Sequence, residues 1–220
     1  MIIEESDFLT EEEVKNIRSE FSRAPWIEGS VTAGTNAREV KNNLQIDRNN
    51  TSCVVIDQYI SAAFMRSKLL QSSLFVKRVS VPLYARYEPG MKYGEHVDRS
   101  VMGRMRTDLA ATIFLSDPEE YDGGLLMVQD YFGTPSIKLK AGAIVVYPAT
   151  SIHEVSAVTR GTRDVAVLWL ESAVRSHENR RILWELTQVR DSLQGKEIKP
   201  ETQTSLGFVL HNLIRQWVET

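Results

Sequence analysis

The chain has 220 residues, 42% hydrophobic and 25% charged, with 26 Lys and Arg against 29 Asp and Glu for a net charge of −3. That mix is ordinary for one substantial globular domain with its own core, and it excludes a generally basic nucleic-acid binder. Cys53 is the single cysteine, which excludes an internal disulfide framework and a multi-cysteine zinc or iron–sulfur site, so any metal must use the four histidines and the carboxylates.

The N-terminus is acidic and shows no basic segment followed by an apolar one. No apolar run is long enough to cross a membrane. With one thiol, these features point to a reducing, cytoplasmic setting without membrane or nucleic-acid partners.

The first predicted element is a helix. Thr10 and Glu13 make a capping box, Leu9 and Val14 a hydrophobic staple, and Val14, Ile17 and Phe21 one apolar face. Residues 26–47 are polar and Asn-rich, with short β-like pieces around Val31 and over 40–46. Apolar spacing returns over 53–70 (Val54, Ile56, Tyr59, Ile60, Ala63, Phe64) and predicts one more helix.

From about residue 75 the chain changes character. Runs rich in Val, Ile, Tyr and Phe occupy 75–87, 93–98, 108–115, 125–129, 136–140, 143–147, 152–158 and 164–171. Gly- and Pro-bearing turns separate them, such as Glu88-Pro89-Gly90 and Asp122-Gly123-Gly124. Eight short strands without helical crossovers predict a two-sheet sandwich or jelly roll rather than a doubly wound α/β fold.

The tail predicts two helices. Ile182, Leu183, Leu186, Val189 and Leu193 share one face, and Gly195 supplies a stop. Leu206, Val209, Leu210, Leu213, Ile214 and Trp217 share another. This hairpin either packs on the outside of the barrel or offers a partner or homodimer surface. The division read from these signals is 1–74 (supporting helices and strands), 75–172 (β core) and 173–220 (helical hairpin).

Chemistry concentrates at His96-Val97-Asp98. Alternate residues of a strand share a face, so His96 and Asp98 would point together and Val97 toward the other layer. His153, on a later strand, would complete two histidines and a carboxylate, the facial triad typical of non-haem Fe(II) oxygenases. Arg163 follows the turn at Arg160-Gly161 and starts the return strand. Its guanidinium would clamp one end of a small diacid whose other end meets the metal; taken alone, it reads more readily as an exposed hairpin arginine. Tyr84, Tyr87 and Tyr93 offer hydroxyls near the same pocket or serve as ordinary strand aromatics.

Taken together, Tyr87-Glu88-Pro89-Gly90, Tyr93-Gly94-Glu95-His96-Val97-Asp98, Leu115-Ser116-Asp117-Pro118, Asp122-Gly123-Gly124, Ala141-Gly142, the stretch from Tyr147 to Val155 around His153, and Thr159 to Arg163 resemble the Fe(II)/2-oxoglutarate dioxygenases of the prolyl 4-hydroxylase alpha-subunit class, and within it the PKHD-type hydroxylases. Glu39 to Asn43 and the helical tail extend the resemblance over nearly the whole chain. It implies a mainly β, α+β fold with a double-stranded β-helix core and flanking helices. It implies Fe(II) on His96, Asp98 and His153. It implies 2-oxoglutarate on Arg163 with Tyr87, O₂ as second substrate and L-ascorbate as reductant. Trp169 would stand by the pocket wall. The reaction implied is hydroxylation of an unactivated C–H bond with release of succinate and CO₂. Asp98 favours hydroxylation over halogenation, which needs that carboxylate absent.

Substrate residues are less defined. Residues 99–107, with Arg99, Arg104 and Arg106, read either as a lid that meets an acidic substrate or as a solvated loop. Lys41, Asn42 and Asn43 line the entrance or decorate an outer strand. The substrate is a peptide or a small molecule. Two other readings compete: a cupin-like metalloenzyme without oxygenase chemistry, and a non-catalytic jelly-roll binding module. Arg163 and Tyr87 speak against the first, whose reactions need no distal diacid clamp, and the intact triad speaks against the second. His177 and His211 fall in the tail helices and carry no site role.

Overall fold

The computed structural model describes residues 1–32, 38–130 and 133–219. Two antiparallel sheets face each other. The larger has eight strands, in the order β1 (Ile3–Glu5), β14 (Ile144–Pro148), β10 (Leu109–Phe114), β17 (Arg163–Ser172), β6 (Leu83–Tyr87), β4 (Leu44–Ile46) and β2 (Trp26–Glu28), with β5 (Val76–Val79) also pairing with β17. The smaller has five: β13 (Ser136–Ile137), β12 (Leu126–Val128), β15 (His153–Val155), β7 (Lys92–His96) and β3 (Lys41–Asn42). This is the expected jelly-roll core. The strands are shorter and more numerous than the sequence runs suggest. Pro82, which cannot donate to a ladder, separates β5 from β6 within the run 75–87. The run 152–158 divides into β15 and the start of β16 (Val158–Gly161), which pairs away with β11 (Tyr121–Gly123).

Strand alternation sorts the larger sheet into two faces. Ala111 and Ile113 of β10, Ile144 and Val146 of β14, and Ala166, Leu168 and Leu170 of β17 are buried against the helices. Ala110, Phe114, Val145, Tyr147 and Val165 face the space between the sheets. Helix α1 (Glu11–Arg23) starts on the expected capping box: Thr10 Oγ1 accepts from Glu13 N at 3.2 Å, and Glu13 Oε2 accepts from Thr10 N at 2.8 Å. Its face of Val14, Ile17 and Phe21 joins Ile56, Ile60 and Ala63 of α2 (Thr51–Arg66) in the same core. The helix expected over 53–70 is two helices. Ser67 ends α2 and its Oγ accepts from Leu70 N at 3.1 Å, so it starts α3 (Lys68–Leu74).

The tail is the expected hairpin, α4 (His177–Ser192) and α5 (Pro200–Trp217). Leu183 and Leu210 meet Val174 in a small core of their own, joined by Phe75. The apolar stripe is narrower than predicted, because Ile182, Val189 and Val209 stay exposed. No described helix is long and apolar enough to cross a membrane.

Phe21 locks the helices onto the sheet, with its ring 5.4 Å from Trp26 and 5.7 Å from Tyr84, both edge-on. Its side chain is fully enclosed. Phe21→Ala should lower the unfolding free energy by about 3–5 kcal/mol in urea titrations. A loss under about 1 kcal/mol would place the helices outside the cooperative core.

Candidate active site

A cavity of about 460 Å³ opens between the two sheets. The pairing of β7 with β15 builds its floor, setting His96 directly opposite His153. Val155 then faces Tyr93, so β7 spends three residues where β15 spends two. This bulge around Gly94 and Glu95 breaks the two-residue alternation. It lets Tyr93 and His96 share a face, with their rings stacked at 3.7 Å and 13°.

Both imidazoles are oriented in the same way. His96 Nδ1 donates to Gly94 O at 2.8 Å, and His153 Nδ1 donates to Ser151 O at 3.0 Å. A carbonyl only accepts, so each ring is left with Nε2 as its free ligand atom. Burial, then the neighbouring His153, pulls His96 down to about 4, which keeps its lone pair available.

Asp98 joins them, though not as the strand reading expects. β7 ends at His96, and Asp98 stands on the loop beyond it. Val97 does not enter the opposite layer; it is 51% exposed and sits at the cavity rim. Asp98 Oδ2 lies 3.7 Å from His153 Nε2 and has no hydrogen-bond partner. Burial holds its carboxyl above the usual range. The three ligand atoms lie within 4.8 Å of one another. Two imidazole nitrogens and an orphaned carboxylate oxygen suit a divalent cation of mixed N/O preference, Fe(II) among them.

Arg163 lines the same cavity. It opens β17 and pairs with Tyr87 of β6 across the larger sheet. Its side chain is 1% exposed, yet its Nε has no partner. The guanidinium lies 5.1 Å from the Tyr87 ring centroid and 5.5 Å from that of Phe114. Burial pushes the Tyr87 hydroxyl upward, so it is a neutral donor. A buried guanidinium without a counter-charge is costly, and here it faces open space. Alternation along β17 carries Val167 and Trp169 to the same cavity. Trp169 Nε1 is buried and unpaired.

Other expected site residues divide. Tyr93 and Arg99 line the cavity, as do Lys41 and Asn43. Tyr84 does not: it points to the helix side and donates to Asp57. Arg104 is exposed away from the cavity. Arg106 is tied to Asp108 at 2.7 Å, Glu219 at 3.1 Å and Ser172 O at 2.8 Å, which makes it a brace rather than a lid residue. Residues 99–107 themselves hold a small hairpin, β8 (Val101–Met102) with β9 (Met105–Arg106).

Two contributors have clear signals that single-residue reading passes over. Gly124 has φ +60°, and a Cβ there would lie 2.9 Å from Arg163 Cδ. Gly123 has φ +71°, and its Cβ would meet Ala157 O at 2.0 Å. The Gly-Gly pair is therefore a turn that makes room for the arginine, not only a strand break.

Residues 82–171, which contain all the cavity-lining groups described above except Lys41 and Asn43, match the 2OG-Fe(II) oxygenase superfamily. Over the full chain the protein is 39% identical to a PKHD-type hydroxylase of Shewanella sp. (strain MR-4), covering 100% of both. It is 38% identical to a PKHD-type hydroxylase of Nitrosomonas europaea, again over 100% of both. It is 38% identical to the PKHD-type hydroxylase YbiX of Escherichia coli (strain 55989 / EAEC), over 96% of each. Among solved structures, a Pseudomonas putida prolyl-4-hydroxylase superposes with TM-score 0.54 at 21% identity, over 78% of this chain and 92% of that one. A Trichoplax adhaerens prolyl hydroxylase, solved with a hypoxia inducible factor peptide fragment, superposes with TM-score 0.58 at 13% identity, over 83% and 86%. The solved structures share the fold, and whole-length identity to the curated relatives decides the rest: the chain belongs to the PKHD-type hydroxylases, Fe(II)/2-oxoglutarate-dependent enzymes of the 2OG-Fe(II) oxygenase superfamily.

Proposed function

We propose that His96, Asp98 and His153 hold Fe(II), and that Arg163 with Tyr87 holds the far carboxylate of 2-oxoglutarate. One observation carries this reading: the cluster of three ligand atoms and a buried guanidinium whose Nε has no partner line one cavity. The cupin-like and non-catalytic readings find no support beside the family membership.

Bound iron supplies the activation of O₂, which couples oxidation of 2-oxoglutarate to succinate and CO₂ with hydroxylation of a C–H bond. The protein's own residues bind, orient and shield. His96 and His153 are held by their backbone acceptors with Nε2 toward the metal position. Asp98 brings one negative charge, which a cation relieves of its burial cost. Arg163 offers its donors to a carboxylate, and the Tyr87 hydroxyl adds another. Leu126, Val155, Val167 and Trp169 give an apolar wall that excludes water from the reacting carbon. The primary substrate is a peptide or a free small molecule with an unactivated C–H bond. L-Ascorbate serves as the reductant that returns oxidised iron to the ferrous state. The setting is the cytoplasm.

His153→Ala should abolish iron-dependent succinate formation, followed by product analysis with 2-oxoglutarate as the only organic acid. Residual iron-dependent turnover above one tenth of wild type would remove His153 from the ligand set. Arg163→Ala should raise the half-saturating 2-oxoglutarate concentration at least roughly tenfold, the loss expected for a charge-assisted hydrogen bond. An unchanged requirement would move the clamp to another residue. Gly124→Ala should push on Arg163 Cδ and shift 2-oxoglutarate dependence in the same direction. Iron titration should find its metal affinity within about threefold of wild type. Equal loss of both would mean that the whole barrel had shifted.

A further inference from the structure

Two buried cations line the cavity, and 2-oxoglutarate uses one. We propose that the other, Lys41, is the recognition cation for the primary substrate, and that this substrate enters with a carboxylate. The proposal rests on the reading above that this cavity is the active site.

Position separates the two cations. Arg163 stands on the larger sheet beside Tyr87. Lys41 stands on the smaller sheet, paired with Tyr93. Its Nζ lies 5.4 Å from the Tyr93 ring centroid, and Tyr93 in turn stacks on His96. The charge of Asp98 reaches it. Lys41 is therefore on the metal's side of the cavity, one aromatic ring from a ligand histidine. A carboxylate held there sets carbons a few bonds away beside the metal.

Lys41 also has no ion-paired carboxylate among the described residues. Only 9% of it is exposed, and its ammonium donates to one neutral acceptor, Thr32 Oγ1 at 2.9 Å. An ammonium has three donors. Among the described residues no carboxylate pairs with it, and residues 33–37, Ala-Gly-Thr-Asn-Ala, contain no acid. Arg180, a buried cation outside the site, shows the usual solution, donating to Val174 O at 2.7 Å and Arg175 O at 2.9 Å. Burial pulls the Lys41 ammonium down to about 8, and the opposing charge of Asp98 offsets only part of that cost. A substrate carboxylate supplies that partner. A neutral analogue leaves the ammonium unpaired, and that difference is a source of specificity.

The test uses full-length protein with Fe(II), ascorbate and 2-oxoglutarate, and reads succinate release stimulated by added probes. The probes are the twenty free L-amino acids against their amides, and end-blocked tripeptides with one glutamate beside proline against their glutamine twins. We expect at least one acid to stimulate wild type at least about tenfold better than its amide. Stimulation by free acids identifies a small-molecule carboxylate, and stimulation by the glutamate peptide an acidic side chain. Lys41→Gln should erase the acid-over-amide preference and shift half-saturation for 2-oxoglutarate less than twofold. The proposal is overturned if acids and amides stimulate equally, if no carboxylate-bearing probe stimulates, or if Lys41→Gln keeps the preference. It is also overturned if Lys41→Gln raises the 2-oxoglutarate requirement as Arg163→Ala does, since that puts the lysine on the co-substrate. The acid–amide comparison on wild type needs no variant to fold. Failure of the underlying active-site reading looks different, because ferrous protein would then show no optical response to 2-oxoglutarate with any probe or none.

Discussion

The register of β7 against β15 is the constraint on which the site depends. It sets His96 opposite His153, two residues 57 positions apart in the chain, with ring centroids 4.2 Å apart. Slipping the pair by one residue would turn one histidine to the other face of the sheet and destroy the cluster. The bulge in β7 refines the same arrangement. It rotates Tyr93 onto the His96 face, where the tyrosine stacks on the His96 ring and its own ring centroid lies 5.4 Å from Lys41 Nζ. Asp98 needs no strand register at all. It follows from the loop that leaves β7, and its burial beside His153 makes it part of the cluster.

A second constraint comes from alternation on the larger sheet. Ala166, Leu168 and Leu170 of β17 are buried against the helices, and Arg163, Val165, Val167 and Trp169 turn to the interior between the sheets. The helices seal one face of the sheet and so leave the other to face a cavity. That division lets two cations be buried without an ion-paired carboxylate among the described residues. Stability alone would not favour that arrangement, because each desolvated charge is a cost. They stand on opposite sheets, so two buried cations face the cavity from its two walls.

Much of this was legible in the sequence, for identifiable reasons. The capping box at Thr10 and Glu13 is a local signal and reads directly. The alternation of β17 and the turn at Gly161 put Arg163 at a strand start, where it is found. The histidines were legible as residue types on two strands, but only pairing across the sheet makes them neighbours. Asp98 was placed correctly through an alternation that the strand does not sustain to that point. The misses share a cause. The roles of Arg104 and Arg106 depend on partners far along the chain, such as Glu219, which no local pattern reveals. Tyr84 has the strand spacing of a site residue, but it lies one position out of phase with Tyr87, so it faces Asp57. Ser67 divides a continuous apolar pattern because its hydroxyl caps better than it extends a helix. Gly124 was legible only as a turn, since the side chain it makes room for lies 39 residues on.

The central claim is that one cavity holds Fe(II) on His96, Asp98 and His153 together with 2-oxoglutarate on Arg163. The most direct measurement is the visible absorption spectrum of the ferrous protein without O₂, before and after adding 2-oxoglutarate. The account predicts a weak metal-to-ligand charge-transfer band that appears on addition and saturates with the co-substrate. A folded protein with iron bound that gives no such band would contradict it.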